Sequence, residues 1–340
     1  MKKSTIIILT VLIALAGLSI YIYKSKGKTS TIDKEASDFK YKDTAAIDKI
    51  FLADKDGKQI LVERKKDGWM VDEKYHVRPD VIELLLYTIK SVEVKSPVSK
   101  NGRNSVIKIM SSKSTKIEIY SKGEKVKQYY VGHPTQDNTG TYMLLTNLET
   151  GENYEEPFIT HIPGFDGFLS SRYLTDAVDW RDRLILNYRP PQIKQIKLEL
   201  HGDPDSSFVI DLFSMQRFGL KTKKGSIAFE EDKMKQYIAY FQNVNCEIVL
   251  DKKDKIVDSL SKSAIPFATL TITDRNNGNS SCEFFHKQAI AEKNKEYGID
   301  YKYDPDRLFV RYNNGKDYGV AQFYVFGKIL QTYQYFLPRK

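Results

Sequence analysis

Two stretches of this chain carry one pattern, and that repetition limits the folds open to it more than any other feature. The first opens at Ala46-Ile47-Asp48-Lys49-Ile50-Phe51-Leu52 and the second at Gln192-Ile193-Lys194-Gln195-Ile196-Lys197-Leu198. Ile47 thus matches Ile193, and Ile50 matches Ile196, at a spacing of 146 residues. Both runs read as strands. In the first copy a turn at Asp54-Lys55-Asp56-Gly57 leads into the strand Gln59–Arg64, because Asp-Gly between apolar runs is a hairpin signal. A short strand at Gly68–Val71 follows. The spacing then predicts an amphipathic helix from about Pro79 to Val92, with Pro79 in its first turn and Val81, Leu84, Leu85 and Thr88 on one face. The second copy answers with a turn at Asp203-Pro204-Asp205, a strand Ser207–Leu212, and Arg217–Leu220 in place of the Trp69 strand. A helix at about Glu231–Gln242 follows, with Met234, Ile238 and Phe241 together.

The later parts also correspond. Val106–Met110, Lys116–Tyr120 and Val126–Val131 read as strands, and Ala268–Thr273 and Cys282–His286 answer the first two. Tyr142–Leu145 matches Leu308–Arg311, and Gly151–Tyr154 matches Gly315–Tyr318. Each copy closes on an apolar segment, Phe158–Leu174 and Phe323–Leu337. The spacing drifts from 146 to between 164 and 166 residues, which requires insertions in the loops of the second copy, and loops tolerate them. The expected fold class is α+β: two sequence-related copies of an antiparallel sheet with a packed helix. Copy one covers residues 46–160, a connecting segment 161–191, and copy two 192–340.

Ahead of the copies, Ser4–Tyr23 holds twenty residues without a charge, between Lys2-Lys3 and Lys24, Lys26 and Lys28. Twenty helical residues span about 30 Å, the hydrocarbon thickness of a bilayer. Residues 1–23 are therefore expected to form a single transmembrane anchor, with Tyr21 and Tyr23 at the interface. Ala14-Leu15-Ala16 leaves a cleaved signal as the alternative. Residues 24–45, rich in Lys, Ser, Thr and Asp, read as a tether. A short N-terminal tail before a large domain is the layout of an exported domain.

The net charge of +9 comes from 53 basic and 44 acidic residues, scattered rather than clustered. That suits a solvated surface facing anionic headgroups or cell-wall polymers, and no nucleic-acid signature accompanies it. Cys246 and Cys282 form no CxxC, and whether they join in a disulfide stays open. The five histidines share no HxH or HExxH spacing, and GxSxG, P-loop and dinucleotide motifs are absent from the sequence. No catalytic residue, metal ligand or cofactor is therefore assigned. His201-Gly202-Asp203-Pro204-Asp205 reads as a turn in preference to a cation site, since Pro fixes φ within it.

The densest cluster of Gly, aromatic, Arg and Asp residues joins the two copies. It runs from Pro163-Gly164-Phe165-Asp166-Gly167-Phe168 through Arg172-Tyr173 to Asp179-Trp180-Arg181-Asp182-Arg183. Tyr173, Trp180, Arg181 and Arg183 are the partner-binding candidates, an aromatic anchor with a charged rim as interface hot spots use. In the competing reading Trp180 packs between the copies while Arg and Asp pair. His133, between Gly132 and Pro134, is a weaker candidate for the same place.

The opening hairpin Ile47–Arg64, Trp69, the helix near Pro79, Tyr130-Val131-Gly132, Gly140-Thr141-Tyr142 and Trp180–Arg183 together resemble the bacterial family catalogued as domain of unknown function 4340. The resemblance covers most of the chain from about Ala46. It implies a membrane-anchored envelope protein, single-pass in the inner membrane with its soluble part in the periplasm, and an association with ABC-type transport components. It carries over no chemistry. The expected function is a non-enzymatic interaction or accessory module of a transport or envelope complex. A glycan or peptidoglycan-binding module is the alternative, suggested by 22 Tyr, 17 Phe and the mild basic excess.

Overall fold

The computed structural model describes residues 14–21, 34–290, 296, 298 and 301–338. The chain divides into two compact units, the first ending at Trp180 and the second beginning at Arg181. The first unit runs through β1 (Ile47–Ala53), β2 (Gln59–Lys65), β3 (Gly68–Val71), β4 (Tyr75–His76), α1 (Pro79–Ser91) and β5 (Glu93–Pro97). It continues with α2 (Lys100–Ser112), β6 (Thr115–Ser121), β7 (Glu124–Pro134), β8 (Thr141–Leu145) and β9 (Phe158–His161). These strands make one antiparallel sheet of nine, ordered β4-β3-β2-β1-β6-β7-β8-β9-β5.

The second unit begins with β10 (Leu184–Leu186), β11 (Ile193–Leu200), β12 (Phe208–Leu212), β13 (Phe218–Thr222) and β14 (Gly225–Ser226). There follow α3 (Glu231–Ala239), β15 (Val244–Asn245), β16 (Ile248–Val249), α4 (Lys255–Lys262), β17 (Ala268–Asp274), β18 (Asn279–Gln288), β19 (Tyr303–Tyr312) and β20 (Asp317–Gln322). Apart from the small ribbon β10·β15, its nine strands are ordered β14-β13-β12-β11-β17-β18-β19-β20-β16. Strand for strand, this is the order of the first sheet. In both units a helix precedes the returning edge strand (β5, β16) and another follows it.

The likeness extends to residues. Ile50 pairs with Val62 and Ile119, while Ile196 pairs with Ile210 and Ile272. The ladder slips between Ile47 and Lys49 in one sheet and between Ile193 and Gln195 in the other. Ile47, Ile50, Ile193 and Ile196 are all fully buried. Burying one such side chain contributes about 1.5–3 kcal/mol.

Three expectations need correction. Val106–Met110 is not a strand; it lies inside α2. Ser99 caps that helix by accepting the Gly102 N–H, and Val106 and Met110 are its buried pair at i, i+4. Strand alternation would have put Lys108 on the face of Val106 and Met110, whereas Lys108 is exposed. Ala268–Thr273 therefore answers Lys116–Tyr120, and α2 is answered by α4.

The second correction is one of register. Val131 pairs with Met143 and Phe284 with Val310, so Thr141–Leu145 answers Leu308–Tyr312, one residue off the expected match. In a strand that slip decides which face is buried, and Met143, Leu145, Val310 and Tyr312 are all in the cores.

The third concerns α1, whose buried face is Ile82, Leu85, Thr88 and Ile89. Val81 is only half-buried, and Leu84 is exposed. From Val81 to Tyr87 the one charged residue is Glu83, so the sequence supports two overlapping stripes, and packing selects one. In α3 the matching stripe is Met234, Tyr237 and Ile238, with Phe241 just beyond.

The apolar closing segments supply Leu169 and Tyr173 to the first core and Phe326, Ile329 and Phe336 to the second. The described end of the segment expected as a tether is packed: Ala36 and Phe39 are buried, and Phe39 meets Tyr129 and Phe158 edge-on at 6.0 and 6.1 Å. Of the expected anchor, only residues 14–21 are described, as helix, and the rest lies outside the described residues. Among the described residues no helix is long and apolar enough to cross a membrane.

Candidate interaction site

The segment that the sequence marks as most unusual is divided between the two units, and each part is accounted for locally. In the first, Tyr173 is buried, and its ring meets Tyr129 edge-on with the two hydroxyls 3.4 Å apart. Burial pushes its phenol up to about 12. Trp180 is fully buried in the first core, donating from Nε1 to the Leu174 carbonyl at 3.1 Å, while its own carbonyl accepts the Arg78 N–H. In the second unit, Arg181 is buried and donates to Asp317 at 2.8 Å. Arg183 is half-buried, and its carbonyl accepts the Cys246 N–H. Tyr173, Trp180 and Arg181 are thus placed in packing, and little of them reaches the surface.

The exposed part of the segment lies just before them. Pro163-Gly164-Phe165-Asp166-Gly167 makes a turn in which Phe165 N–H donates to the Ile162 carbonyl. Gly167 takes a φ of +149°, and a Cβ there would lie 2.9 Å from the Phe165 ring. The missing side chain lets the ring settle against the turn. Leu169, whose N–H donates to Thr141 Oγ1 at 2.7 Å, then starts a single 3₁₀ turn, Ser170–Arg172. That turn brings the Arg172 guanidinium over the Phe165 ring, 4.3 Å from its centre.

Arg172 also donates from Nη1 to Thr88 Oγ1 at 3.0 Å, and Thr88 in turn donates to the Leu84 carbonyl one helical turn back. This chain ties the loop to α1 beside Leu84 and Tyr87. Burial lowers the pKa of Arg172, opposed by Tyr173 and by Tyr87, which lies close enough to feel its charge. Among the described residues it makes no ion pair. Around it, Leu84, Tyr87 and Phe165 stay 44, 52 and 37 % exposed. The half-buried cation thus has aromatic groups beside it, Phe165 in contact and Tyr87 near, and Tyr and Arg are residue types that interface hot spots favour.

Sequence reasoning found the Pro163–Phe168 and Arg172 cluster but placed its emphasis downstream. Leu84 it assigned to the buried face. Tyr87 it did not single out, and no local signal marks that residue.

His133 and His286 fall at the same place in their sheets, four residues beyond Tyr129 and Cys282, which face Ile117 and Leu270. His133 lies against Tyr142 at 4.8 Å, and His286 is stacked between Phe267 and Tyr303 at 4.3 and 4.1 Å. Burial lowers the pKa of both, with Lys302 adding to the effect at His286. A concavity of about 560 Å³ opens beside His286, walled by Ile256, Leu260, Ile265, Phe285 and Tyr303. Its lysine, Lys287, is already paired with Asp304 at 2.7 Å.

Cys246 and Cys282 are free, buried thiols, pushed by burial up to about 11 and about 12, so they are poor nucleophiles. Among the described residues no group of three or more His, Cys, Asp or Glu could hold a metal ion. Asp203–Asp205 folds as a turn, with Ser206 Oγ donating to Asp203 Oδ2.

Fold and site define a class: an α+β protein of two like nine-stranded antiparallel sheets, with Leu84, Tyr87 and Phe165 exposed near a half-buried Arg172. The chain belongs to the family described as Domain of unknown function (DUF4340), whose model matches residues 69–262, more than half of its length. The match begins in β3 of the first unit and ends with α4 of the second. No curated protein and no solved structure matches the chain.

Proposed function

We propose that this chain is a membrane-anchored, non-enzymatic interaction module of a bacterial transport or envelope complex, and that its two units arose by duplication of one sheet. In this reading Ser4–Tyr23 holds the protein in the inner membrane, and the soluble part faces the periplasm. The observation that carries the reading is the site around Arg172. Three large side chains with much apolar surface, Leu84, Tyr87 and Phe165, are left partly in water near a half-buried cation, and such surface gains burial only when a partner covers it. Duplication is supported by the identical strand order and by the ladder slips at matching isoleucines.

The experiment is site-specific photo-crosslinking in native membranes. A photoreactive phenylalanine analogue in place of Tyr87 should capture one defined protein. The same analogue in place of Tyr324, an exposed tyrosine of the second unit, should not. Random or no capture from position 87 would count against a docking role. Alkaline phosphatase fused after Lys28 tests the topology, and an inactive fusion would reverse it.

A further inference from the structure

Arg172 has more hydrogen-bonding capacity than its surroundings use. A guanidinium carries five N–H donors in a fixed plane. Thr88 Oγ1 takes one of them, and the Phe165 ring covers one face. Both contacts fix the plane of the group while leaving donors over. We infer that Arg172 is the receptor for a carboxylate of the docking polypeptide, an Asp or Glu flanked by an apolar side chain that settles among Leu84, Tyr87 and Phe165. This rests on the docking reading above and adds the chemistry of the partner.

Three features support a peptide carboxylate. The planar fork of Arg matches a carboxylate in two parallel hydrogen bonds. The apolar rim excludes water, so the pair gains strength as the partner settles. The immediate neighbours argue against an anionic bilayer as occupant. Glu83 and Asp166, exposed beside Leu84 and Phe165, oppose any anion, but a continuous negative surface meets both at once whereas a single carboxylate need meet only Arg172. Headgroup recognition also draws on clusters of basic residues, whereas the loop from Pro163 to Arg172 carries one.

The test uses the full-length protein in its own membranes with the photoreactive analogue at position 87. Arg172→Gln should reduce the captured protein at least about tenfold, since truncating one partner of a desolvated charge pair has effects of that order or larger. Arg172→Lys, which keeps the charge but loses the fork and its stacking on Phe165, should retain part of the capture and more than Arg172→Gln. A water-soluble carbodiimide, which joins carboxylates to nearby amines, should link the R172K chain through position 172 to an Asp or Glu of the same protein. Undiminished capture in R172Q overturns the inference and leaves the docking reading standing. Capture of lipid alone overturns it in favour of the membrane surface. No capture in the parent removes the docking reading and this inference together. Should R172Q fail to fold, judged by its thermal unfolding, the carbodiimide linkage in R172K decides, and its absence is contrary.

Discussion

Arg181 donates from Nη2 to Asp317 Oδ1 at 2.8 Å within the second unit, and both side chains are largely withdrawn from water. Asn313 Nδ2 donates to the other carboxylate oxygen at 2.9 Å, so both oxygens are held. Removing Asp317 takes the carboxylate away from a buried cation. Asp317→Ala should therefore cost about 3 kcal/mol of stability, read from urea unfolding of the full chain. The double change Arg181→Met with Asp317→Leu should cost less than the single one, because no charge is left behind. A single-variant loss below about 1 kcal/mol would contradict this account of the pair.

Ile50 and Ile196 sit at matching places in two separate cores, both fully buried between branched neighbours. Replacing either with Ala should cost about 2–5 kcal/mol, and the two losses should be of similar size. Unfolding followed by hydrogen exchange can assign each loss to its own unit. If Ile196→Ala proved nearly neutral while Ile50→Ala did not, the positions would not be equivalent.

Glu118 gives the first unit an acid-sensitive contact. Burial works against its charge, but hydrogen bonds from Tyr120 and Lys116, joined by Lys125, outweigh it and hold the carboxyl at about 2 against an ordinary 4.5. A carboxyl depressed in the folded state contributes stability that is complete above the unfolded value and is lost as pH falls through the folded one. The contribution should thus be present at pH 6 and fade between about 4.5 and about 2. In Glu118→Gln the urea midpoint should fall less steeply over that window. Equal slopes in the two proteins would mean that Glu118 titrates normally.

Gly167 holds the Phe165 ring in place by having no side chain. An alanine there meets both a positive φ of 149° and a ring atom at 2.9 Å. Gly167→Ala should lower stability by at least about 1 kcal/mol. It should also shift the Phe165 ring resonances in an NMR spectrum. An unchanged ring environment would remove the steric role given to this glycine.

Much of the fold was legible because strand-period patterning is redundant. Ile47 and Ile50, with Ile193 and Ile196, mark the starts of the two sheets, and the Asp54–Gly57 turn marks a hairpin. Val106-Ile107-Lys108-Ile109-Met110 was misread because its apolar residues satisfy both periods, and Ser99, the cap that decides for helix, lies seven residues upstream. The one-residue slip at Tyr142 and Leu308 arose where the runs 142–145 and 308–310 are apolar throughout, so alternation gives no parity. The site was half legible. The Gly and Pro residues around Phe165 announce a turn, but its stacking on Arg172 and its place beside Tyr87 depend on how the loop returns to α1, and no local pattern encodes that.

Cysteine accessibility tests the central claim, that Leu84, Tyr87, Phe165 and Arg172 form a covered contact face, most directly. The native thiols are buried, so Tyr87→Cys adds one reactive position, and Tyr324→Cys provides a freely exposed comparison. With a maleimide, Tyr87→Cys should label several-fold more slowly in native membranes than after purification, while Tyr324→Cys should label equally in both. Equal labelling of Tyr87→Cys in the two settings would mean that nothing covers the face in the cell, and the account would fail.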